Sequence, residues 1–206
     1  MQDLCHQLIK RLFNYWKMIR IGILGDIGSG KSYVAKNFGY PVFNADLEVG
    51  KLYKKDKKVF NKLKKVLPKY IYSFPINKNE VSRAILANNL NLKKIIKVVH
   101  SEIRKKMNIF LKKNVNKKIV ILDIPLLLEN KLNKKDDILV FVKSKKSDIL
   151  KKLGKRKNFN PDLLGKFKNI QLSLDYKKKK SQFVIKNNFT NKSVMIGINK
   201  IIKKIL

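Results

Sequence analysis

Cysteine and histidine are scarce in this sequence. Its 206 residues include one cysteine, Cys5, and two histidines, His6 and His100. A single cysteine excludes a disulfide within the chain, and the spacing of these three residues excludes a zinc cluster of any usual kind. No apolar run approaches the roughly 18 residues of a membrane span. These scarcities predict a protein of a reducing compartment, the cytoplasm, with no membrane partner.

Acidic residues are also few. The chain has 14 Asp and Glu against 49 Lys and Arg, a formal net charge of +35. Such an excess suits a polyanionic partner or a merely solvated basic surface. Only five of the 49 basic residues are arginine, whereas proteins that read bases depend on arginine and on exposed aromatic side chains. A general bias toward Lys, Asn and Ile explains the charge at least as well, and we predict no specific nucleic-acid partner.

Short apolar runs alternate with amphipathic segments after Met18. The predicted strands are 19–24, 41–44, 118–123, 137–142 and 182–186. The predicted helices are 78–88, 92–113, 146–156, 161–177 and 190–205. Buried strands separated by helices are typical of a parallel sheet covered on both faces and joined by right-handed crossovers. The pattern predicts one three-layer α/β domain over residues 18–206, with a five-stranded parallel sheet.

Three segments stand out from this alternation. Residues 46–117 are too long for one crossover helix and predict a helical insertion that binds a substrate. Residues 143–180 follow the fourth strand, where a lid is expected. Residues 1–17 carry an apolar residue at every fourth position from Leu4 to Trp16. We favour the interpretation that these residues are a dispensable extension. The alternatives are a helix docked on the protein and a segment for membrane contact or targeting, although the pattern of a secretory signal is absent.

The clearest motif follows the first predicted strand and precedes a helix. Residues 25–32 read Gly-Asp-Ile-Gly-Ser-Gly-Lys-Ser and fit the phosphate-binding pattern G-x-x-x-x-G-K-[ST]. In this pattern backbone N–H groups surround phosphate oxygens, assisted by the positive end of the helix. Lys31 then reaches the β- and γ-phosphates of ATP, and the Ser32 hydroxyl binds Mg²⁺. We expect the nucleotide to contact Gly28, Ser29, Gly30, Lys31, Ser32 and Tyr33.

Two of the few acidic residues stand where predicted strands end. Asp46 follows the second strand and Asp123 ends the third. Ligands of open parallel sheets bind beyond the carboxyl ends of the strands, so both carboxylates are expected to face the phosphates. Asp46 either orients and deprotonates an acceptor hydroxyl or caps the next helix. Asp123 either holds Mg²⁺ or forms a simple turn before Pro125.

Three basic positions remain ambiguous from the residues alone. Arg156 ends a helical segment in a chain that mostly uses lysine, so its planar fork either closes over a phosphoryl group or is one more solvated cation. His100 lies in a predicted helix, where a satisfied surface histidine is the commoner case. The run 177–180 is four lysines, and we interpret it as a solvated helix end, with phosphate contact as the minor alternative.

The ordered set of these motifs resembles the dephospho-CoA kinase family over nearly all of residues 18–205. Residues 25–32 are similar to the family's phosphate loop, and Asn44-Ala45-Asp46 to its Asp-Ala-Asp. Residues 123–129 are similar to its Pro-Leu-Leu-Phe-Glu segment. Further matches are His100 with a His-Pro pair, Arg156 with a lid arginine, Gln171 with a late glutamine, and 183–187 with the last strand.

The resemblance implies an activity and roles for several residues. It implies that ATP phosphorylates the 3′-hydroxyl of dephospho-CoA to give CoA and ADP, the last step of coenzyme A synthesis. Asp46 would activate the acceptor, Lys31 and Arg156 would stabilise the transferring group, and His100 would bind the acceptor. Two alternatives stay open: a kinase of another small nucleotide or nucleoside, and a nucleic-acid-binding protein with a vestigial phosphate loop. We expect a monomer and leave an oligomer open.

The sequence also departs from the family pattern. Leu24 stands where threonine is usual, Asp26 where glycine is usual, Tyr33 where threonine is usual, and Ser101 where proline is usual. Asn44 replaces the first aspartate of its pair. Asp26 places a negative side chain on a loop that holds anions, so it either points outward or helps to bind the metal. These departures bear on the rate of the reaction and leave the predicted fold unchanged.

Overall fold

The computed structural model describes residues 18–156 and 159–206, and within them five strands form one parallel sheet. The extension 1–17, with Cys5 and His6, lies outside the described residues. The strands are β1 (Ile19–Gly25), β2 (Val42–Asn44), β3 (Ile119–Asp123), β4 (Ile138–Lys143) and β5 (Phe183–Lys186). Their order in the sheet is β2-β3-β1-β4-β5. The predicted α/β fold with a five-stranded parallel sheet is confirmed.

Helices cover both faces of the sheet. They are α1 (Lys31–Asn37), α2 (Ala45–Lys55), α3 (Lys57–Val66), α4 (Lys78–Ala87), α5 (Asn89–Lys113), α6 (Lys146–Gly154), α7 (Pro161–Lys168), α8 (Leu174–Lys180) and α9 (Asn191–Ile205). Short polar residues open most of them, because their side-chain oxygens accept a first-turn backbone N–H. Asn88, for example, caps α5 and Thr190 caps α9.

One predicted helix was wrong. The segment 161–177 was predicted as a single helix, but α7 ends at Lys168 and α8 begins only at Leu174. The Ser173 hydroxyl accepts the backbone N–H of Tyr176 and so starts a new helix. This cap explains where α8 begins, because serine is a favoured first residue of a helix.

The core lies on both faces of the sheet, because alternate residues of each strand point to opposite sides. Ile21 and Ile23 of β1 pack toward α1 and α9. Leu24 packs on the other face, toward the helices between β2 and β3. The helices of the predicted insertion thus share a core with the sheet. No helix in the described ranges is long and apolar enough to cross a membrane.

Glu80 of α4 fixes the loop between α3 and α4. Its side chain is 2% exposed and accepts the backbone N–H groups of Tyr72, at 3.0 Å, and Ser73, at 3.3 Å. The Ser73 hydroxyl donates a third hydrogen bond to the same carboxylate. Burial opposes the charge, but these donors together lower the pKa of Glu80 from its ordinary value of 4.5. Glu80 therefore binds this loop most strongly when it is ionised.

We expect Glu80→Gln to destabilise the protein at neutral pH by about 1 to 3 kcal/mol, because charge-assisted bonds become neutral ones. A carboxyl group with a lowered pKa stabilises the fold above its unfolded pKa and loses that effect as pH falls through the folded pKa. The difference from the parent should therefore shrink below about pH 4.5. Urea unfolding across pH measures it. Glu48→Gln, which removes a surface ion pair with Lys51, is the control, and a gap that stays constant with pH would refute this role for Glu80.

Candidate active site

The ends of three neighbouring strands build the site. β1 lies between β3 and β4, and β3 pairs with β2, so the segments that follow β1, β2 and β3 meet at one edge of the sheet. The phosphate loop follows β1. Asp123 ends β3 and is in register with Asn44, the last residue of β2. The predicted meeting of the loop with both carboxylates therefore follows from strand order.

The phosphate loop turns through two glycines in the left-handed region. Gly28 has φ 84° and Gly30 has φ 88°, values that strain other residues. Lys31 begins α1, and its Nζ donates to the carbonyls of Gly25 at 3.3 Å and Asp26 at 2.7 Å. The ammonium of Lys31 thus lies against the backbone at the start of the loop.

Asp26 turns its side chain onto the loop itself. Its Oδ1 accepts the backbone N–H of Ile27 at 2.7 Å. Its charge also favours the protonated form of Lys31. The negative charge of Asp26 is therefore partly offset by a loop N–H and a nearby ammonium.

Asn44 connects the Asp123 carboxylate to the start of α2, the helix that carries Asp46. Its Nδ2 donates to Asp123 at 2.6 Å, and its Oδ1 accepts the backbone N–H of Leu47 at 2.8 Å. Asn44 is therefore the cap of α2, and the alternative that Asp46 caps this helix was wrong. Asp46 lies in the first turn of α2 and its side chain is exposed to the cleft. The helix N-terminus favours a negative charge there.

The charged groups of the site perturb one another. Burial lowers the pKa of Lys31 to about 8, against the opposing effect of Asp123 and Asp46. Desolvation and the neighbouring Asp123 raise the pKa of Asp46, whereas Lys31 and Arg156 lower it. Burial also raises the pKa of Asp123. Two acids and two cations are therefore close enough to couple, as is typical of active sites.

These groups line a cleft of about 800 Å³. It contains all the predicted site residues except Ser29, namely Gly28, Gly30, Lys31, Ser32, Tyr33, Asp46, His100, Asp123 and Arg156. Ser29 is fully buried. The structure thus brings residues from five segments to one cavity, although they are spread over 129 positions from Gly28 to Arg156.

The wall opposite the phosphate loop is apolar. It is formed by α4, α5 and α7, with Val81, Ile85, Leu92, Ile95, Val99, Leu163 and Phe167 among its residues. His100 lies on this side and is half-buried. Its Nε2 is buried without a hydrogen-bond partner among the described residues, and burial together with Arg104 lowers the pKa of His100. A neutral imidazole that faces the cleft can bind a polar ligand group.

Arg156 lines the cleft. It comes two residues after the end of α6, is exposed, and its positive charge lowers the pKa of Asp46. Arg20 of β1, by contrast, is buried and pairs with Asp137 at 3.0 Å. Of these two arginines, Arg156 lines the cleft and Arg20 does not.

The interpretation of the lysine run 177–180 was wrong at its first position. Lys177 is 1% exposed, pairs with Glu129 at 2.8 Å and donates to Gln171 at 2.9 Å. Its charge also lowers the pKa of Lys31, so it lies near the phosphate loop. A lysine among four gives no distinguishing signal, since α8 has no buried apolar residue to define an inward face. The similarity at Gln171 was the only hint.

Ser32 and Asp123 form a set of hard oxygen donors. The Ser32 hydroxyl is close enough to the Asp123 carboxylate to lower its pKa, against the larger effect of burial, which raises it. Within residues 18–156 and 159–206, no three His, Cys, Asp or Glu side chains come together as metal ligands. Mg²⁺ in nucleotide sites usually takes one or two protein oxygens and completes its shell with phosphates and water. The donors present fit that ion.

Comparisons with known proteins find one family along most of the chain. The family model CoaE, dephospho-CoA kinase, matches residues 19–193. A dephospho-CoA kinase of Wolbachia pipientis wMel is 32% identical over 187 residues, which cover 88% of this chain and 95% of the relative. The crystal structure of TT1252 from Thermus thermophilus has a TM-score of 0.75 at 23% identity, covering 92% of this chain and 98% of that one. For the dephospho-CoA kinase structure from Campylobacter jejuni the TM-score is 0.56 at 20% identity, with 90% and 96% covered.

Proposed function

Because this chain belongs to the dephospho-CoA kinase family, we propose that it transfers the γ-phosphoryl group of ATP to the 3′-hydroxyl of dephospho-CoA. The products are CoA and ADP. One observation carries the proposal: the phosphate loop, the carboxylate of Asp46 and an apolar wall border a single cleft. A donor and an acceptor can therefore meet there.

The donor half of the cleft is the phosphate loop with α1. Backbone N–H groups of residues 28–32 surround the phosphates, and the positive end of α1 adds to their field. Lys31 moves its donors from the loop carbonyls of Gly25 and Asp26 to phosphate oxygens. Tyr33, exposed on α1, contacts the nucleotide from the outer side.

The acceptor half is formed by α2, α4, α5 and α7. Asp46 receives the proton of the ribose 3′-hydroxyl, and its raised pKa brings it closer to the range in which a carboxylate works as a base. His100 donates or accepts a hydrogen bond with a polar group of the acceptor. The apolar wall suits the pantetheine arm of dephospho-CoA, because this arm is uncharged and lies away from the phosphates of the molecule.

The transfer itself needs positioning and charge more than covalent chemistry. The oxygen of the 3′-hydroxyl attacks the γ-phosphorus, its proton passes to Asp46, and the bond to the β-phosphate oxygen breaks to release ADP. Lys31 and Arg156 hold the equatorial and leaving oxygens as charge spreads over them. Ser32 and Asp123 would hold Mg²⁺, which neutralises negative charge on the phosphates when bound.

The remaining assignments belong to the same proposal. Residues 46–117 form the helical insertion that binds the acceptor, and residues 143–180 supply the lid that carries Arg156. The protein works in the cytoplasm as a monomer, with residues 1–17 dispensable. A reaction confined to two small substrates requires no polymer partner.

The acceptor preference tests the proposed function. We expect ADP release, followed in a coupled assay, to be at least about a hundredfold faster in kcat/KM with dephospho-CoA than with AMP or free nucleosides, because those lack groups for the apolar wall. Comparable turnover of AMP or a nucleoside would identify a different small-molecule kinase. No ADP release with any acceptor, together with nucleic-acid binding that survives physiological salt, would overturn the assignment as a kinase.

A further inference from the structure

The peptide between Ser29 and Gly30 is held from outside the phosphate loop. The Ser29 carbonyl accepts one hydrogen bond from Nδ2 of Asn187, at 2.9 Å, and another from the Ser144 hydroxyl, at 3.0 Å. Ser144 directly follows β4, and Asn187 directly follows β5. β4 and β5 lie on the other side of β1 from the carboxylates. The residues that follow them thus hold the loop by two hydrogen bonds to a single oxygen, and this pair of bonds is the grip on the loop.

The grip fixes the direction of a backbone donor. In a planar trans peptide the carbonyl and the following N–H point in opposite directions. Asn187 and Ser144, which hold the Ser29 carbonyl, do not line the cleft, whereas Gly30 does. We infer that the N–H of Gly30, which points opposite to that carbonyl, is directed to the cleft side. An N–H held in that direction meets a phosphate without first reorienting the peptide.

We propose that Asn187 is a positioning residue for nucleotide binding, which sets the Ser29–Gly30 peptide so that its N–H donates to a phosphate of ATP. The inference rests on the proposed function, because it takes a nucleotide phosphate as the ligand of the loop. Asn187 does not touch the phosphate and acts only through the Ser29 carbonyl.

Asn187 is itself fixed in place. It is 2% exposed, its Oδ1 accepts the backbone N–H of Phe189 at 2.8 Å, and its own backbone N–H donates to the Lys143 carbonyl at 2.8 Å. Both polar atoms of its side-chain amide are therefore bonded, Nδ2 to the phosphate loop and Oδ1 to the β5–α9 turn. A buried amide with its donors and acceptors used in this way has one orientation.

Two features of the loop fit this role. A Cβ on Gly30 would lie 2.4 Å from Nδ2 of Asn187, so glycine at this position is required by the grip as well as by its φ of 88°. Ser29 is fully buried, and its hydroxyl has no hydrogen-bond partner within the part of the chain that the structure describes. Ser29 therefore contributes its peptide and not its side chain.

The test compares four variants with the parent. Asn187→Leu keeps approximate size and removes the amide, Ser144→Ala removes the second donor, and the double variant combines them. Thr190→Ala is the matched control, because it removes the cap of α9 in the same β5–α9 turn without reaching Ser29. The measurements are the Kd of ATP and of ADP by calorimetry, the KM of each substrate, and the melting temperature.

We expect Asn187→Leu to raise the Kd of ATP and ADP about tenfold and Ser144→Ala about threefold, the size of lost hydrogen bonds. The KM of dephospho-CoA should stay within about twofold. Because both donors hold one oxygen, the double variant should differ from the product of the single effects. Thr190→Ala should lower the melting temperature through the lost cap yet leave the Kd of ATP within about twofold.

The outcomes separate this inference from the proposed function. If the parent phosphorylates dephospho-CoA but both single variants bind ATP within about twofold of it, the positioning role is wrong and the function stands. If the KM values of both substrates rise together with a fall in melting temperature, Asn187 is merely structural and the inference also fails. If Asn187→Leu does not fold, the nucleotide Kd of Ser144→Ala decides. A parent without kinase activity contradicts the proposed function instead.

Discussion

Replacing Asp46 by asparagine should lower kcat for phosphoryl transfer to dephospho-CoA by a factor of about 10² to 10³, in the range for loss of a general base. Asparagine keeps the shape of the side chain but cannot take the proton of the 3′-hydroxyl. The Kd of ATP and the melting temperature should change much less, because Asn44 and not Asp46 caps α2. Initial rates, calorimetry and thermal unfolding measure the three quantities.

Glu48→Gln is the matched control for this variant. Glu48 lies two residues further along α2 and pairs with Lys51 and Lys106 at the surface. The substitution Glu48→Gln removes the same charge from the same helix, and Glu48 does not line the cleft. We therefore expect kcat to stay within about twofold of the parent. If Asp46→Asn turns over within about threefold of the parent, Asp46 is not the base.

Arg156→Lys should lower kcat by a factor of about 10² to 10³, because lysine keeps the charge but loses the planar fork that binds a phosphoryl group at two points. A solvated surface cation would tolerate the change with little effect on rate or stability. We expect the melting temperature to stay near that of the parent, since Arg156 is exposed. Nucleotide affinity should change much less than kcat.

Arg83→Lys provides the comparison. Arg83 is also exposed and donates to the Tyr72 hydroxyl at 2.6 Å, outside the cleft. Its replacement should leave kcat within about twofold. The lid role of Arg156 must be abandoned if its lysine variant turns over within about threefold of the parent.

The fold and the two carboxylates were accessible from sequence because each depends on local signals and one topological rule. Apolar strand-length runs predicted the five strands, and Asp46 and Asp123 were predicted at the site because parallel strands place their carboxyl ends at one edge. The strand order then brings β2 and β3 beside the loop that follows β1. The similarity to the dephospho-CoA kinase family added the acceptor and the significance of Arg156.

The sequence did not reveal which polar side chains are buried and which distant residues they contact. Lys177 looks like its three neighbours in the chain, yet its ammonium is buried between Glu129 and Gln171. Burial of an ammonium is tolerated only with a paired carboxylate. That carboxylate lies 48 positions earlier in the chain, and no local pattern connects the two residues.

Asn187 and Asn44 were missed as specific contacts for a similar reason. Asn44 is the last residue of β2 and Asn187 directly follows β5. At such strand ends the amide usually satisfies a nearby turn. Asn187 does so at Phe189, but its other end reaches Ser29, 158 positions away. Asn44 caps α2 and also donates to Asp123. The local half of each role is readable from sequence, and the distant half requires the fold.

The product of the reaction tests the central claim most directly. Incubating the protein with ATP, Mg²⁺ and dephospho-CoA, then analysing the products by mass spectrometry and phosphorus NMR, identifies the atom that received the phosphoryl group. The account predicts one CoA for each ADP released, with the new phosphate on the ribose 3′-oxygen. ADP released without CoA, or a phosphate on any other hydroxyl of the acceptor, would contradict it.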